Sequence, residues 1–219
     1  MGSGRTLPKS GELRYGLVVA VDIEGFSKMG ILDQASAQAQ LGVLMEQAAA
    51  GAGLSRSGWY VQPRGDGELA VLPTDTDVAW VVARYTQLLA DGLRDLRSNA
   101  LAQPHFRLRV AMHHGPLAGG ELGPVGDAPI VACRLLDSSP VKQALAGNDS
   151  TDLVLVISRQ LFTDIVLTGF HGLSPGRFRA IRAKIKGRTY WGYVCQGSPI
   201  GVTDTPHGDR DRDVLIVAD

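Results

Sequence analysis

Apolar positions along this chain fall into two kinds of pattern, short continuous runs of strand length and longer stretches with helical spacing. Tyr15 to Asp22 (Y-G-L-V-V-A-V-D) is almost continuously apolar, as a central strand covered on both faces would be. Residues 32–47 follow with Leu41, Leu44, Met45 and Ala48 on one helical stripe, Asp33 as the expected cap and Gly51 and Gly53 as the stop. Segments 59–62 and 68–72 flank Gly65-Asp66-Gly67, which predicts a hairpin whose glycines supply a positive φ. A long amphipathic helix is expected from about Asp77 to Arg97, with Trp80, Val81, Leu88, Leu89, Leu93 and Leu96 inward. The polarity of F-R-L-R-V-A-M-H-H (106–114) alternates like a strand, and the glycine-rich stretch 115–126 reads as a loop. Asp127 is then the expected cap of a helix with Pro129 in its first turn. A strand at 153–157, a short helix with Leu161 and Phe162, and strands around 178–186 and 189–194 complete the pattern.

That order is βαββαβ with strands appended, an α+β chain on the ferredoxin-like plan, whose connections bring the end of the first strand beside the second-to-third hairpin. Asp22 and Asp66 therefore meet in space, 44 positions apart in sequence. The pattern predicts one domain over 15–196, an N-terminal extension 1–14 and a polar tail 197–219, whose V-L-I-V run could add an edge strand. No internal repeat interrupts it.

Composition narrows the classes. The 219 residues are 44% apolar with mean hydropathy near zero, enough for a full core in one domain. Net charge is zero, so no global basic field argues for DNA, RNA or an anionic membrane as partner. No apolar run approaches the roughly 18 residues of a membrane span, and the expectation is a soluble, cytoplasmic protein. Cys133 and Cys195 lack C-x-x-C spacing and read as reduced, buried thiols.

The candidate chemistry lies in two short acidic motifs. In V-A-V-D-I-E-G-F-S an apolar strand delivers Asp22 into a small-residue loop, and in R-G-D-G-E-L Asp66 stands at a tight turn. Together they can clamp divalent cations that hold a nucleoside triphosphate; separately, Asp22 is a loop cap and Asp66 a favoured turn residue. Arg64 either reaches a nucleotide or pairs with Glu68. Adjacent His113 and His114 point to opposite faces of a strand, which argues against one shared metal.

On these motifs the chain resembles the class III nucleotidyl cyclase catalytic domain over residues 15–195. V-D-I-E-G-F-S matches the family's D-I-x-G-F-[ST]; the resemblance implies that Asp22 and the Ile23 carbonyl are metal ligands and that the backbone through Gly25, Phe26 and Ser27 wraps the triphosphate. Gly65-Asp66 matches the hairpin G-D and implies the second metal ligand at Asp66. G-D-A-P-I-V-A-C-R-L places Arg134 on the transition-state arginine, and K-I-K-G-R-T-Y-W-G-Y-V places Lys186 on the phosphate-binding lysine. Read without the resemblance, Arg134 has the alternative of a structural ion-pair partner and Lys186 that of a solvated edge-strand face. The resemblance further implies two Mg²⁺ or Mn²⁺ ions per site and a homodimer with composite sites.

Three positions depart from the family. Ile130 replaces the asparagine four residues before the arginine; Gln62 and Gly123 stand where adenylyl cyclases carry their base-reading lysine and aspartate. The purine-selecting pair is absent, and these departures resemble the Pycsar anti-phage pyrimidine cyclases. The expected activity is conversion of UTP to cUMP with loss of pyrophosphate, the product being a messenger for a separately encoded effector. Gln62 and Arg64 are the candidate nucleotide contacts. The alternatives are a cyclase using CTP or ATP, or a silent homology domain that binds nucleotide or only dimerises.

Overall fold

The computed structural model describes residue 7 and residues 11–99 and 104–201. The V-L-I-V run of the tail lies outside them. The centre is β1 (Arg14–Ile23), paired antiparallel with β3 (Gly67–Val71) on one side and β4 (Leu108–Gly120) on the other. With β2 (Tyr60–Arg64), β5 (Gly123–Val125), β6 (Leu153–Ser158), β7 (Arg179–Ile185) and β8 (Arg188–Gln196), the sheet runs β2-β3-β1-β4-β6-β8-β7, and β5 pairs only with β4. Its β2-β3-β1-β4 part is the ferredoxin-like core; β6 joins parallel to β4 and the β7–β8 hairpin extends the sheet.

Helices cover both faces, which is why β1 is apolar throughout. Leu17, Val19, Val21 and Ile23 enter one core, beneath α1 (Ile31–Gly51) and the helical stretch made of α2 (Val78–Trp80), a π-helical Val81–Tyr85 and α3 (Thr86–Ser98). Val18 and Ala20 enter the other, beneath α4 (Asp127–Leu136) and α5 (Ser139–Ala146). Asp22 continues the second series and so points to the α4 side.

Several expectations shift in detail. Gly30, not Asp33, caps α1, and Gly126, not Asp127, caps α4; both acids sit inside the first turn, where the helix dipole favours them. Gly126 has φ 115°, and a side chain there would meet the Pro116 carbonyl, so only glycine allows this helix start. The stretch 115–126 is no loop: β4 runs on to Gly120 and turns back as β5, because Tyr15 and Arg14 of β1 keep pairing with Pro116 and Leu117. α5 was not anticipated; Pro140 stands at its start, where a missing N–H costs nothing. α6 (Arg159–Asp164) buries Leu161 and Phe162 as expected. No helix among the described residues is long and apolar enough to cross a membrane.

Candidate active site

Asp22 is the penultimate residue of β1 and Asp66 tips the β2–β3 turn. Register sets Asp22 opposite Gly67, and the Ile23 amide donates to the Asp66 carbonyl at 2.8 Å, so the two acids come together at one end of the sheet. None of Gly65, Asp66 and Gly67 has positive φ. The expected role for these glycines is corrected at position 67, where a Cβ would lie 1.9 Å from the Val21 carbonyl oxygen. Glycine is needed there because β3 presses against β1.

Asp22 is 7% exposed, and burial pushes its carboxyl up to about 6, with Asp66 and Asp137 adding repulsion and Arg109 opposing. Arg109, its cross-strand partner on β4, donates from Nε to Oδ1 at 2.7 Å; Oδ2 has no protein donor among the described residues. Sequence reading missed Arg109. The available signal was a charge inside the apolar run L-R-V-A-M, on the β4 face that meets Asp22.

The segment after β1 is built to leave amides open. The Glu24 amide donates to Arg107 O at 2.9 Å and its carboxylate accepts from Arg107 Nε at 2.7 Å, pinning the start of the loop. Gly25 (φ 69°) turns the chain into a single 3₁₀ turn, closed by Lys28 N–H to Gly25 O, while Gln34 Nε2 donates to the Phe26 and Met29 carbonyls. Among the described residues the amides of Gly25, Phe26 and Ser27 have no backbone acceptor, an arrangement suited to phosphate oxygens. The Phe26 ring packs on the core, so only its backbone faces this loop.

The remaining candidates divide. Arg64 does not pair with Glu68, because Glu68 lies opposite Pro63 on the other sheet face and is held bidentately by Arg56 at 2.8 and 2.9 Å. Arg64 instead reaches Cys133 Sγ on α4 at 3.2 Å. Arg134 and Ile130, one turn apart, lie on the α4 face directed away from the buried Ala128, Ala132 and Leu135. Ile130 is 44% exposed, and Arg134 has no ion-pair partner among the described residues.

Lys186 (φ 49°) and Gly187 form the β7–β8 turn. Asp22 is level with Arg109, Val154 and Gln196, the far end of β8 from that turn. Eight residues of strand separate them by about 26 Å, with three strand spacings of about 4.8 Å besides. One copy of the chain cannot bring Lys186 to its own Asp22.

Gln62 and Gly123 do lie together. Gln62 Nε2 donates to Leu122 O at 3.2 Å, and a Cβ on Gly123 would meet Gln62 Oε1 at 2.9 Å and the Tyr60 hydroxyl at 3.2 Å. Tyr60 is a second residue at this spot that sequence reading missed. His113 and His114 part as expected: His113 Nδ1 is 2.7 Å from Ser158 Oγ, and His114 neighbours the Tyr15 ring. No group of three or more His, Cys, Asp or Glu fit for a metal occurs among the described residues. A cation at Asp22 and Asp66 would rest on these two carboxylates, the Ile23 carbonyl and oxygens of substrate or water. Hard oxygen donors and an acid pair only partly neutralised by Arg109 fit Mg²⁺ or Mn²⁺.

No family model matches the chain, and no curated protein does. Solved structures match its fold. The guanylyl cyclase Cya2 is 15% identical and aligns over 86% of this chain and 94% of its own (TM-score 0.60). The guanylate cyclase domain of RhGC from Catenaria anguillulae, solved with GTP, is 16% identical over 86% and 100% (0.57). An adenylate/guanylate cyclase/hydrolase from Silicibacter pomeroyi is 18% identical over 84% and 98% (0.57). The chain has the fold of adenylyl and guanylyl cyclase catalytic domains.

Proposed function

We propose that this chain is a nucleotidyl cyclase of class III that converts a pyrimidine nucleoside triphosphate, UTP before CTP or ATP, into its cyclic monophosphate and pyrophosphate. The observation that carries the cyclase reading is the convergence of Asp22 and Asp66 beside three backbone amides that have no backbone acceptor among the described residues. Asp22, Asp66 and the Ile23 carbonyl would hold two Mg²⁺ or Mn²⁺ ions. When bound, these cations acidify the ribose hydroxyl and neutralise the charge of the leaving group.

The chain's own groups then divide the work. The ribose 3′ oxygen forms a bond to the α-phosphorus as the bond to the β-phosphate oxygen breaks; pyrophosphate leaves and the hydroxyl proton passes to solvent. The Gly25, Phe26 and Ser27 amides receive phosphate oxygens. Arg134 stabilises charge on the α-phosphate, and Lys186 holds the terminal phosphates. Because Lys186 lies at the opposite end of the sheet from Asp22, it would come from the second copy of a homodimer, and the family resemblance puts Arg134 on that copy too, giving two composite sites.

The pyrimidine preference rests on Gln62 and Gly123. Gln62 uses one of its two amide N–H groups on Leu122 O, which fixes the amide plane and presents Oε1 as an acceptor complementary to the N3–H of uracil. Likeness to the Pycsar cyclases extends the reading to a cUMP messenger in anti-phage defence, sensed by a separate effector. The second reading, a silent homology domain, is favoured by Ile130, an apolar side chain beside Arg134 where a polar one would serve the nucleotide.

One assay separates them: purified protein with Mn²⁺ and all four triphosphates at equal concentration. The expected main product is cUMP, lost at least about 100-fold in Asp66→Asn. Mainly cAMP or cGMP would overturn the pyrimidine reading alone. No cyclic product from any nucleotide would overturn the enzyme.

A further inference from the structure

The net charge of zero hides a strong asymmetry. Between Asp164 and Asp204 the chain has no acid at all but carries Arg177, Arg179, Arg182, Lys184, Lys186 and Arg188. Since Lys+Arg and Asp+Glu both total 22, the rest of the molecule holds an excess of six acids. The cations concentrate on the β7–β8 hairpin at the edge of the sheet. Among the described residues none of Arg179, Arg182, Lys184, Lys186 and Arg188 has an ion-pair partner.

Strand alternation sorts this hairpin into two faces. Ile181 and Val194 enter the core under α4 and α5, so Arg182, Lys184 and Trp191 project from the other side. Trp191 is half exposed, and the Arg182 guanidinium lies 5.8 Å from the centre of its ring. Asp22 points to the α4 side, so this basic and aromatic surface turns away from the acids of its own copy. The nucleotide-binding reading assigns Lys186 to the triphosphate and gives Arg182, Lys184 and Trp191 no part.

We propose that this face of the β7–β8 hairpin binds single-stranded nucleic acid. Unpaired cations at alternate strand positions can track phosphates, and a half-exposed indole with a guanidinium over its ring offers a cationic aromatic surface on which a base can stack. The exposed indole favours nucleic acid over an acidic peptide, which has charge but no flat ring to stack. The cyclase reading is not needed for it.

The test is fluorescence anisotropy of the full chain with a labelled 20-nucleotide oligo-U at several salt concentrations. Binding is expected to weaken steeply with salt. Arg182→Glu with Lys184→Glu should reduce affinity tenfold or more and flatten the salt dependence. Trp191→Ala should weaken binding severalfold while leaving the salt slope in place, because stacking is not ionic. Circular dichroism melting checks that the variants remain folded. No binding at 50 mM salt, binding indifferent to these substitutions, or polyglutamate competing as well as oligo-U would overturn the proposal.

Discussion

Gly67 illustrates how a single residue places the candidate site. Its lack of a side chain lets β3 close on Val21 and Asp22, and this contact carries Asp66 to the end of β1. Gly67→Ala is therefore expected to cost about 3 kcal/mol, lowering Tm by roughly 6–12 °C for a domain of this size, in a calorimetric comparison with wild type. His113 tests charge in the core. Burial, aided by His114, pushes its pKa from 6.5 down to about 4. The unfolded chain takes up the proton first, so this residue's contribution is complete above pH 6.5 and is lost, by about 3 kcal/mol in all, as pH falls towards 4. Asp22, pushed up to about 6, works in the opposite sense: its contribution declines as pH rises from about 4 to 6. The two oppose each other in the whole curve. Urea midpoints for wild type minus His113→Gln should thus rise between pH 4 and 6.5, and a flat difference would contradict the neutral buried imidazole.

At the scale of elements, the β4–β5 arm and α4 carry exposed apolar side chains that suit them to meet the second copy of the proposed homodimer. Leu122 at the arm's turn is 94% exposed, and Val125 and Ile130 beside it are also open. Gln62 ties the arm back to β2, so the apolar tip is presented in a fixed place. In the proposed homodimer Leu122→Asp should shift the protein from dimer to monomer in sedimentation while its melting temperature stays within a few degrees, since the side chain supports no part of the monomer core. The loop between β1 and α1 shows a related economy. Arg107 and Gln34 hold its ends, so its amides remain free without the loop losing its shape.

For the whole molecule, sheet order decides what one copy can do. Asp22 and Asp66 lie together, whereas Lys186 stands at the opposite end of the sheet and Arg134 faces off it. Mixing an inactive Asp66→Asn chain with an inactive Arg134→Ala chain should then restore activity, because a heterodimer has one site with both defects and one with neither. Recovery to about half of the wild-type rate per heterodimer is expected in the UTP assay. A demonstrated heterodimer without activity would remove the composite site.

Much of this was legible in the residues themselves. The two-sided apolar run of β1, the stripe of α1 and the order of elements determined the sheet core, since period and burial are local consequences of side-chain chemistry. The meeting of Asp22 and Asp66 followed from topology alone. Other features depend on what lies opposite in space. Only the tertiary structure decided that Gly67 serves close approach rather than positive φ, that Arg109 pairs with Asp22, and that most of the stretch 115–126 is strand. It also decided that Arg64 turns to Cys133 while Arg56 takes Glu68, and that Lys186 is far from the acids. Each of these is fixed by a partner on another strand or helix, and neither propensity nor spacing within one segment records which partner that will be.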